Sequence, residues 1–308
     1  MKILVATEKP FANEAINGIK DICEKGGHEL LLLEKYADKN ELIDAVKDVN
    51  AIIIRSDIID KEILEATNEL KIIVRAGSGY DNVDLEAATD MGVCVMNTPG
   101  QNSNAVAELA IGMLIYLIRN GFDGSVGREL KGKKLGLHAF GYIGEIVAHI
   151  AQGLGMDVYA YSPSLSRNPD KGKEYGVIAV QSPEELYDNC DIISLHMPAN
   201  ADTKESVNYD LINRLPADGI IINTARKEIV NEADMVRIMA EKTKFKYATD
   251  IKPDNHDEMM DKFEKRYFAS AKKSGAQTFE SNVNAGLAAA QQIVDYLEKG
   301  DEEFRVNK

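Results

Sequence analysis

The chain has few cysteines and no long apolar run, and each shortage excludes a class of protein. Its three cysteines, Cys23, Cys94 and Cys190, are odd in number and widely separated, so neither a disulfide framework nor a CxxC metal site is predicted. The most apolar segment, residues 109–118, is much shorter than the ~20 residues of a membrane-spanning helix. We therefore expect no membrane span, no metal and a reducing compartment.

Cations are also in the minority. The 36 lysines and arginines face 50 aspartates and glutamates, which gives a formal net charge of −14. This charge repels the phosphates of nucleic acids and of anionic membranes, so neither is an expected partner. The first apolar run ends before Thr7 and is too short for a secretory signal, so we expect a cytoplasmic location.

Short apolar runs alternate with helical patterns along the whole chain, which is typical of βαβ units and parallel sheets. A first series of predicted strands covers residues 2–6, 29–33, 51–54, 71–74 and 93–96. A second series covers residues 134–139, 157–161, 177–180, 192–196, 219–223 and 247–250. The pattern predicts an α/β fold of two Rossmann-like or flavodoxin-like domains with parallel sheets and an active-site cleft between them.

Two helices set the predicted domain boundaries. A helix that begins near Asn104 is apolar on nearly every face and should be buried all round. It either lies deep within one chain or bridges the domains and packs against a second subunit; we favour the second interpretation, which predicts a homodimer. A closing helix from Asn284 can return to the first domain, so residues 1–99 and 288–308 are predicted to form one domain and residues 100–287 the other.

Residues 134–145, KLGLHAFGYIGE, lead from a predicted strand into a helix through a glycine-containing turn. In the GxGxxG pattern the glycines allow a tight turn, a close approach of pyrophosphate and close packing of the helix on the strand. Gly141 and Gly144 take the second and third positions, and Ala139 suits the first if its φ is negative. The pattern alone is weak, but its place between strand and helix predicts a dinucleotide site. The predicted contacts are Ala139, Phe140, Gly141, Tyr142, Ile143 and Gly144.

Ser162 ends the next predicted strand, where enzymes that use NAD usually carry Asp or Glu for the ribose hydroxyls. A serine does not repel a 2′-phosphate, and Arg167 follows five residues later, so NADP is possible. Alternatively Ser162 still binds the ribose of NAD and Arg167 is a solvated charge. We favour NAD.

Stretches throughout the chain resemble the D-2-hydroxyacid dehydrogenases. They include RSDIIDKEIL, LKIIVRAGSGYDNVDLEAAT, VMNTPGQNSNAVAELAIGMLIYLIRN, the AFGYIG turn, CDIISLHMPA, INTARKEIVNEADM and YATDIKPD. More narrowly, RAGSGYDNVD, NTARKE and KKSGAQTFES resemble short 3-phosphoglycerate dehydrogenases in which a lysine replaces the usual catalytic histidine. The resemblance implies a nicotinamide-dependent oxidoreductase.

Arg226 follows a buried predicted strand and so lies at its carboxyl end, where open α/β sheets bind ligands. A guanidinium there can hold a carboxylate through two hydrogen bonds and polarise the adjacent carbonyl. The resemblance implies that Arg226 binds the substrate carboxylate; the alternative is a surface arginine.

The resemblance places Lys273 where the family has its catalytic histidine, and Asn255 where it has the glutamate that orients this histidine. An ammonium has no ring tautomer to fix, so the two changes agree chemically. Lys273 would exchange a proton with the substrate oxygen, or else it is a solvated charge beside Lys272. The residues that could replace the glutamate are Asp254, Asn255, His256 and Glu258.

Further cofactor contacts come from the resemblance alone. Asp250 is expected to contact the nicotinamide carboxamide, and the backbone of His196 to line the cofactor cleft. The other expected cofactor contacts are Pro198, Thr203, Thr224, Ala225 and Arg226.

Three loops of the first domain lie at carboxyl ends of predicted strands and carry Lys9, Arg55 and Arg75. Two arginines and a lysine suit a substrate with a phosphate as well as a carboxylate. The alternative is that the arginines pair with Asp57 or Asp81. The full predicted set of substrate contacts is Lys9, Arg55, Ser56, Arg75, Gly77, Ser78 and Asn102.

These expectations make residues 1–99 and 288–308 the substrate-binding domain and residues 100–287 the dinucleotide-binding domain. We predict oxidation of 3-phosphoglycerate to 3-phosphohydroxypyruvate, the first step of serine synthesis. One alternative is a glyoxylate or hydroxypyruvate reductase; another, from a different class, is a non-catalytic protein that senses NAD(H).

Overall fold

A computed structural model describes residues 1–307. The strands are β1 (Lys2–Thr7), β2 (Glu29–Glu34), β3 (Ala51–Ile54), β4 (Ile72–Arg75), β5 (Cys94–Asn97), β6 (Lys134–His138), β7 (Asp157–Tyr161), β8 (Ile178–Ala179), β9 (Ile192–Leu195), β10 (Ile220–Asn223), β11 (Lys246–Thr249) and β12 (Tyr267–Ala269). The α-helices are α1 (Asn13–Lys25), α2 (Lys39–Ala45), α3 (Lys61–Glu65), α4 (Leu85–Asp90), α5 (Ser103–Ile118), α6 (Tyr142–Gly153), α7 (Pro163–Arg167), α8 (Asp170–Glu174), α9 (Pro183–Asn189), α10 (Tyr209–Ile212), α11 (Glu232–Glu241), α12 (His256–Phe263) and α13 (Phe279–Lys299).

The chain divides into two compact units. The first contains Met1–Asn102 and the chain from Gln277 onward, and the second contains Ser103–Ala276. These boundaries differ from the predicted ones at residues 99 and 288. The difference at the second boundary arises because α13 begins at Phe279, capped by the Thr278 side chain, and packs as a whole on α1.

The first unit is a five-stranded sheet in the order β2-β1-β3-β4-β5, and all of its strand pairs are parallel. Its central strands consist of Ile, Val and Ala residues that are buried on both faces, as expected when helices cover both sides of a parallel sheet. The carboxyl ends of β1, β3 and β4 therefore lie along one edge.

The second unit is a seven-stranded sheet in the order β12-β11-β10-β9-β6-β7-β8, also with parallel pairs throughout. The chain reverses its direction of sheet growth at β6, which has β7 on one side and β9 on the other. Such a reversal opens a crevice at the carboxyl ends of the strands, where ligands bind. The predicted class, two α/β domains with parallel sheets, is confirmed; β12 was missed because three residues give no pattern.

Helix α5 is almost wholly buried. Only Asn104, Glu108 and Gly112 are exposed, and they lie four residues apart on one stripe. The other faces pack against α6, β10 and β11 within the second unit. Its apolar composition therefore follows from burial within one chain. No helix among residues 1–307 is long and apolar enough to cross a membrane.

Candidate active site

The turn between β6 and α6 has the geometry of an anion-binding helix start. Gly141 is the N-cap of α6, and no side chain accepts from the first amides of the helix among the described residues. A Cβ at Gly141 would meet nothing within 4 Å, whereas one at Gly144 would lie 3.0 Å from the carbonyl oxygen of Ala139. The turn is therefore open at Gly141 and tightly packed at Gly144, which leaves room for a pyrophosphate at the helix N-terminus.

Ala139 has a φ of 83°, so the negative φ that would let an alanine suit the first glycine position is not present. The residue directly after β6 must turn the chain toward the helix, and its amide stays bonded to the Tyr161 carbonyl oxygen at 2.8 Å. The turn thus imposes on Ala139, despite its Cβ, a left-handed conformation that glycine adopts without steric cost.

We expect the substitution Ala139→Gly to raise the free energy of unfolding by about 0.5–1 kcal/mol. The left-handed conformation costs an L-residue roughly 1–2 kcal/mol, and the greater freedom of glycine in the unfolded chain offsets part of the gain. Urea unfolding followed by circular dichroism measures the change. The control Ala160→Gly, in the regular strand β7, should destabilise; destabilisation by both variants would contradict the strain at Ala139.

Ser162 is 5% exposed and is the N-cap of α7. Its hydroxyl accepts from the Leu165 amide at 3.1 Å and lies 3.0 Å from the Ser164 hydroxyl. Ser followed by Pro is a sequence signal for a helix start, and it accounts for the short helix α7 that begins here. Ser162 therefore has a local structural role, and Arg167 is exposed at the end of the same helix.

A cavity of about 530 Å³ adjoins Ser162 in the second unit. Several predicted cofactor residues lie at or near it: Ala139 and Thr203 line it, and the Thr203 hydroxyl donates to the Pro198 carbonyl at 2.6 Å. Of the other predicted contacts in the turn, Phe140 is buried against the Tyr175 ring, Ile143 is half-buried and Tyr142 is exposed.

Several buried polar groups near the carboxyl ends of β9 and β10 have no hydrogen-bond partner among the described residues. They are both ring nitrogens of His196, the Ser194 hydroxyl and the Thr224 hydroxyl. Buried polar groups are normally satisfied, so unpaired ones at a strand end point to a ligand that pairs with them. These groups and the opening at Gly141 fit a bound dinucleotide.

His196 and His138 are unsuited to proton transfer near pH 7. Burial, with a smaller contribution from His138, lowers the pKa of His196 to about 3. Burial likewise lowers the pKa of His138 to about 4, and its ring packs edge-on against Tyr161 and Tyr187. Both imidazoles are neutral, which leaves the proton-transfer role to another residue.

Arg226 follows β10 in a turn held by Asn223. The Asn223 side chain donates to the Arg226 carbonyl oxygen at 2.9 Å and accepts from the Ala225 amide at 3.0 Å. The guanidinium itself donates to the Ala225 carbonyl at 2.9 Å, and no carboxylate among residues 1–307 forms a salt bridge with it. Arg226 is thus held at the carboxyl end of β10, where its positive charge can bind an anion.

Asp250 follows β11, is 1% exposed, and binds the backbone next to Lys273. One carboxylate oxygen accepts from the Ser274 amide at 2.8 Å, and the other accepts from the Gly275 amide at 2.8 Å. A Cβ at Gly275 would lie 3.0 Å from the second oxygen, so glycine permits this approach. Asp250 therefore fixes the segment that carries the exposed Lys273, a contact between distant residues that sequence patterns do not show.

Each of the four residues that could replace the usual glutamate is hydrogen-bonded to another residue of the second unit. The pairs are Asp254 with Lys227, Asn255 with Glu232, His256 with Tyr267, and Glu258 with Lys262.

Arg55 of the first unit is held by neutral acceptors. Its guanidinium donates to the carbonyl oxygens of Lys9 at 2.9 Å and Pro10 at 3.2 Å, and to the Asn282 side chain. It also lies over the Phe11 ring, with its central carbon 5.2 Å from the ring centroid. These contacts orient the cation without neutralising it.

Asp57, the acidic neighbour that could have paired with Arg55, is occupied elsewhere. Its carboxylate accepts from the Glu8 amide at 2.7 Å, the Arg55 amide at 3.1 Å and the Tyr36 hydroxyl at 2.8 Å. The alternative of an Arg55–Asp57 ion pair is therefore wrong. Asp57 instead ties together the loops after β1 and β3.

Arg75 and Gly77 form a compact loop after β4. Arg75 Nε donates to the Arg55 carbonyl at 2.9 Å, which links the two arginine loops. Gly77 has a φ of 149°, and a Cβ there would lie 1.5 Å from an Arg75 nitrogen. Only glycine at position 77 therefore leaves space for the Arg75 side chain. The structure thus brings Arg55, Arg75 and the loop of Lys9 together in the first unit. Ser56 is exposed, and the Ser78 hydroxyl lies 3.2 Å from the Asn102 side-chain oxygen.

Comparisons with known proteins agree on one family. Residues 116–265 match the model described as D-isomer specific 2-hydroxyacid dehydrogenase, NAD binding domain. The chain is 35% identical to a hydroxypyruvate reductase of Thermotoga maritima over 66% of this chain and 69% of that protein. It is 30% identical to a D-3-phosphoglycerate dehydrogenase of Methanocaldococcus jannaschii over 96% of this chain and 57% of that protein. The chain thus spans little more than half the length of the D-3-phosphoglycerate dehydrogenases of Methanocaldococcus jannaschii and Pongo abelii.

A solved structure is similar over the full chain. The NAD⁺-bound 3-phosphoglycerate dehydrogenase of Entamoeba histolytica superposes with a TM-score of 0.86 at 48% identity, covering 100% of this chain and 99% of that one.

Proposed function

Because the chain belongs to the D-isomer specific 2-hydroxyacid dehydrogenase family, we propose that it oxidises D-3-phosphoglycerate to 3-phosphohydroxypyruvate with NAD. The product is the first intermediate on the route to serine. The observation that carries the choice of substrate is the cationic cluster of the first unit, formed by Lys9, Arg55 and Arg75.

Arg55 suits a phosphate because its charge is oriented by neutral groups and forms no salt bridge with a described carboxylate. Arg55 contacts only carbonyl and amide oxygens and an aromatic face, and Asp57 is occupied by backbone amides. A phosphate dianion would supply the missing counter-charge through charge-assisted hydrogen bonds. A small uncharged substituent would gain nothing from these donors.

The residues of the second unit fit NAD, which when bound would supply the hydride acceptor for C2 of the substrate. The amides at the start of α6 and the open space at Gly141 would hold its pyrophosphate. The unpaired Thr224 hydroxyl would gain a hydrogen-bond partner. The same residues serve in both reaction directions.

Two side chains carry the chemistry on the substrate. Arg226 binds the carboxylate and, in the reduction direction, polarises the adjacent C2 carbonyl, which makes C2 a better hydride acceptor. Lys273 accepts the hydroxyl proton during oxidation and returns it during reduction. Asp250 keeps the Lys273 segment in place through the Ser274 and Gly275 amides.

We expect Arg55→Ala to raise KM for 3-phosphoglycerate about 10- to 100-fold, because a charged hydrogen bond contributes roughly 1.5–3 kcal/mol. The KM for hydroxypyruvate, which lacks the phosphate, should change less than threefold. Steady-state kinetics with both substrates measures the difference, and Arg55→Lys should give an intermediate value. Lys20→Ala, an exposed cation of α1, is the control.

Hydroxypyruvate reduction is the second candidate, favoured by the relative in Thermotoga maritima. It replaces the first if the unmodified protein has a higher kcat/KM for hydroxypyruvate than for the phosphorylated substrate and Arg55→Ala leaves both values unchanged.

The chain is further proposed to act as a homodimer in the cytoplasm. Phe122 and Val126, which follow α5, are 65% and 97% exposed, and such apolar exposure is typical of an interface. All three cysteines are free and buried, as suits a reducing compartment. A solution mass equal to one 33.9 kDa chain would contradict the dimer.

A further inference from the structure

The cavity beside Ser162 carries a marked excess of negative charge. Three of its lining residues are carboxylates, Glu184, Asp202 and Asp210, and all three are exposed. One cation, Arg214, also lines it. At the position where the fold usually carries an acid, Ser162 is neutral and its hydroxyl caps a helix.

Of the two arginines that could accept a 2′-phosphate, one is paired with a carboxylate and the other does not line the cavity. Arg214 forms a salt bridge of 2.8 Å with Asp188. Arg167 is exposed at the end of α7 and is not among the described residues that line the cavity. The cavity therefore presents carboxylates without a compensating free arginine.

The Glu184 carboxyl is ionised at neutral pH. Its own backbone amide, then the Ser182 hydroxyl and Arg214, hold its pKa below the usual value. Glu184 lies in the first turn of α9, where the helix dipole also favours a negative charge. Asp202 and Asp210 form no salt bridge with any described residue.

We propose that Glu184, Asp202 and Asp210 together exclude NADP, and so replace the single acidic residue that NAD enzymes of this fold carry at the end of the second strand. The proposal rests on the use of NAD proposed above. A 2′-phosphate carries a charge of about −1.5 to −2, so each carboxylate repels it while the neutral 2′-hydroxyl of NAD is accepted. Selectivity then comes from the field of the cavity and not from a hydrogen bond to the ribose.

The test is a binding measurement that requires no turnover. Calorimetry compares 5′-AMP with adenosine 2′,5′-bisphosphate. Because the chain has no tryptophan, the fluorescence of the reduced nicotinamide itself is used to compare NADH with NADPH. The variants are Glu184→Gln, Asp202→Asn, Asp210→Asn and their triple combination. A triple control, Glu129→Gln, Glu174→Gln and Asp261→Asn, removes three exposed carboxylates of the same unit that do not line this cavity.

We expect each cavity substitution to tighten the binding of NADPH and of the bisphosphate by up to about tenfold. This is the effect of removing one charge at ~6 Å from a dianion in water-like surroundings. The triple variant should gain most, and NADH and 5′-AMP should change less than threefold. The discrimination of the unmodified protein should shrink as the salt concentration rises.

The proposal is overturned if the triple cavity variant and the triple control variant give the same ratio of the NADH and NADPH dissociation constants. Equal binding of NADH and NADPH by the unmodified protein, or no binding of either, also overturns it. If NADH binds selectively but 3-phosphoglycerate is not turned over, the proposed substrate fails and the discrimination stands.

Discussion

Replacement of Arg226 by alanine is expected to lower kcat/KM for 3-phosphoglycerate by about a thousandfold. The loss combines a bidentate carboxylate contact with a donor that stabilises the developing charge, and one such donor alone is worth roughly 10²–10³ in rate. The side chain has no carboxylate partner among residues 1–307, so its removal breaks no internal ion pair. Steady-state kinetics in both directions measures the effect.

A lysine variant at position 226 distinguishes the effect of the positive charge from the effect of the planar guanidinium geometry. Arg226→Lys keeps the charge but loses the planar fork, so about a hundredfold loss is expected. Arg237, which stacks on the Tyr209 ring and pairs with Glu241, supplies the matched control as Arg237→Ala. A loss below tenfold for Arg226→Ala would show that this arginine does not hold the carboxylate.

Replacement of Lys273 by alanine is the second large effect: kcat should fall by about 10²–10⁴, the usual range for loss of a general acid or base. NADH affinity should remain unchanged, and the pH profile of kcat should lose the limb that reports the missing group. These two readouts distinguish proton transfer from a general loss of structure.

Lys272→Ala, one residue away, is the natural comparison and should retain activity. If Lys273→Ala also retains it, proton transfer lies elsewhere. If the unmodified protein reduces no cofactor with any 2-hydroxy acid, the chain is a binding protein that senses NAD(H).

The sequence predicted the fold well because the central strands of both sheets are buried on two faces. Runs such as Ala51–Ile54 are apolar throughout, and burial on both faces makes them recognisable without neighbours. Short elements such as β12 carry too few residues for a pattern. The start of α13 lies five residues before the predicted Asn284, because the Thr278 cap was not recognised.

The candidate site was predictable where it depends on strand ends, and not where it depends on long-range contacts. Arg55 and Arg75 follow neighbouring parallel strands, so the topology alone brings their loops together. The bond between Asp250 and the 274–275 backbone spans more than twenty residues and leaves no local signal. The positive φ of Ala139 was missed because an alanine gives no hint of it.

The grip of Asp250 has a consequence for how this site can evolve. Its bonds to the Ser274 and Gly275 amides use backbone atoms, which every amino acid at position 273 leaves in place. A change of side chain at position 273 therefore keeps these two anchoring bonds. If Lys273 carries the proton as proposed, its replacement by a group of different pKa would shift the working pH range while the loop stays anchored.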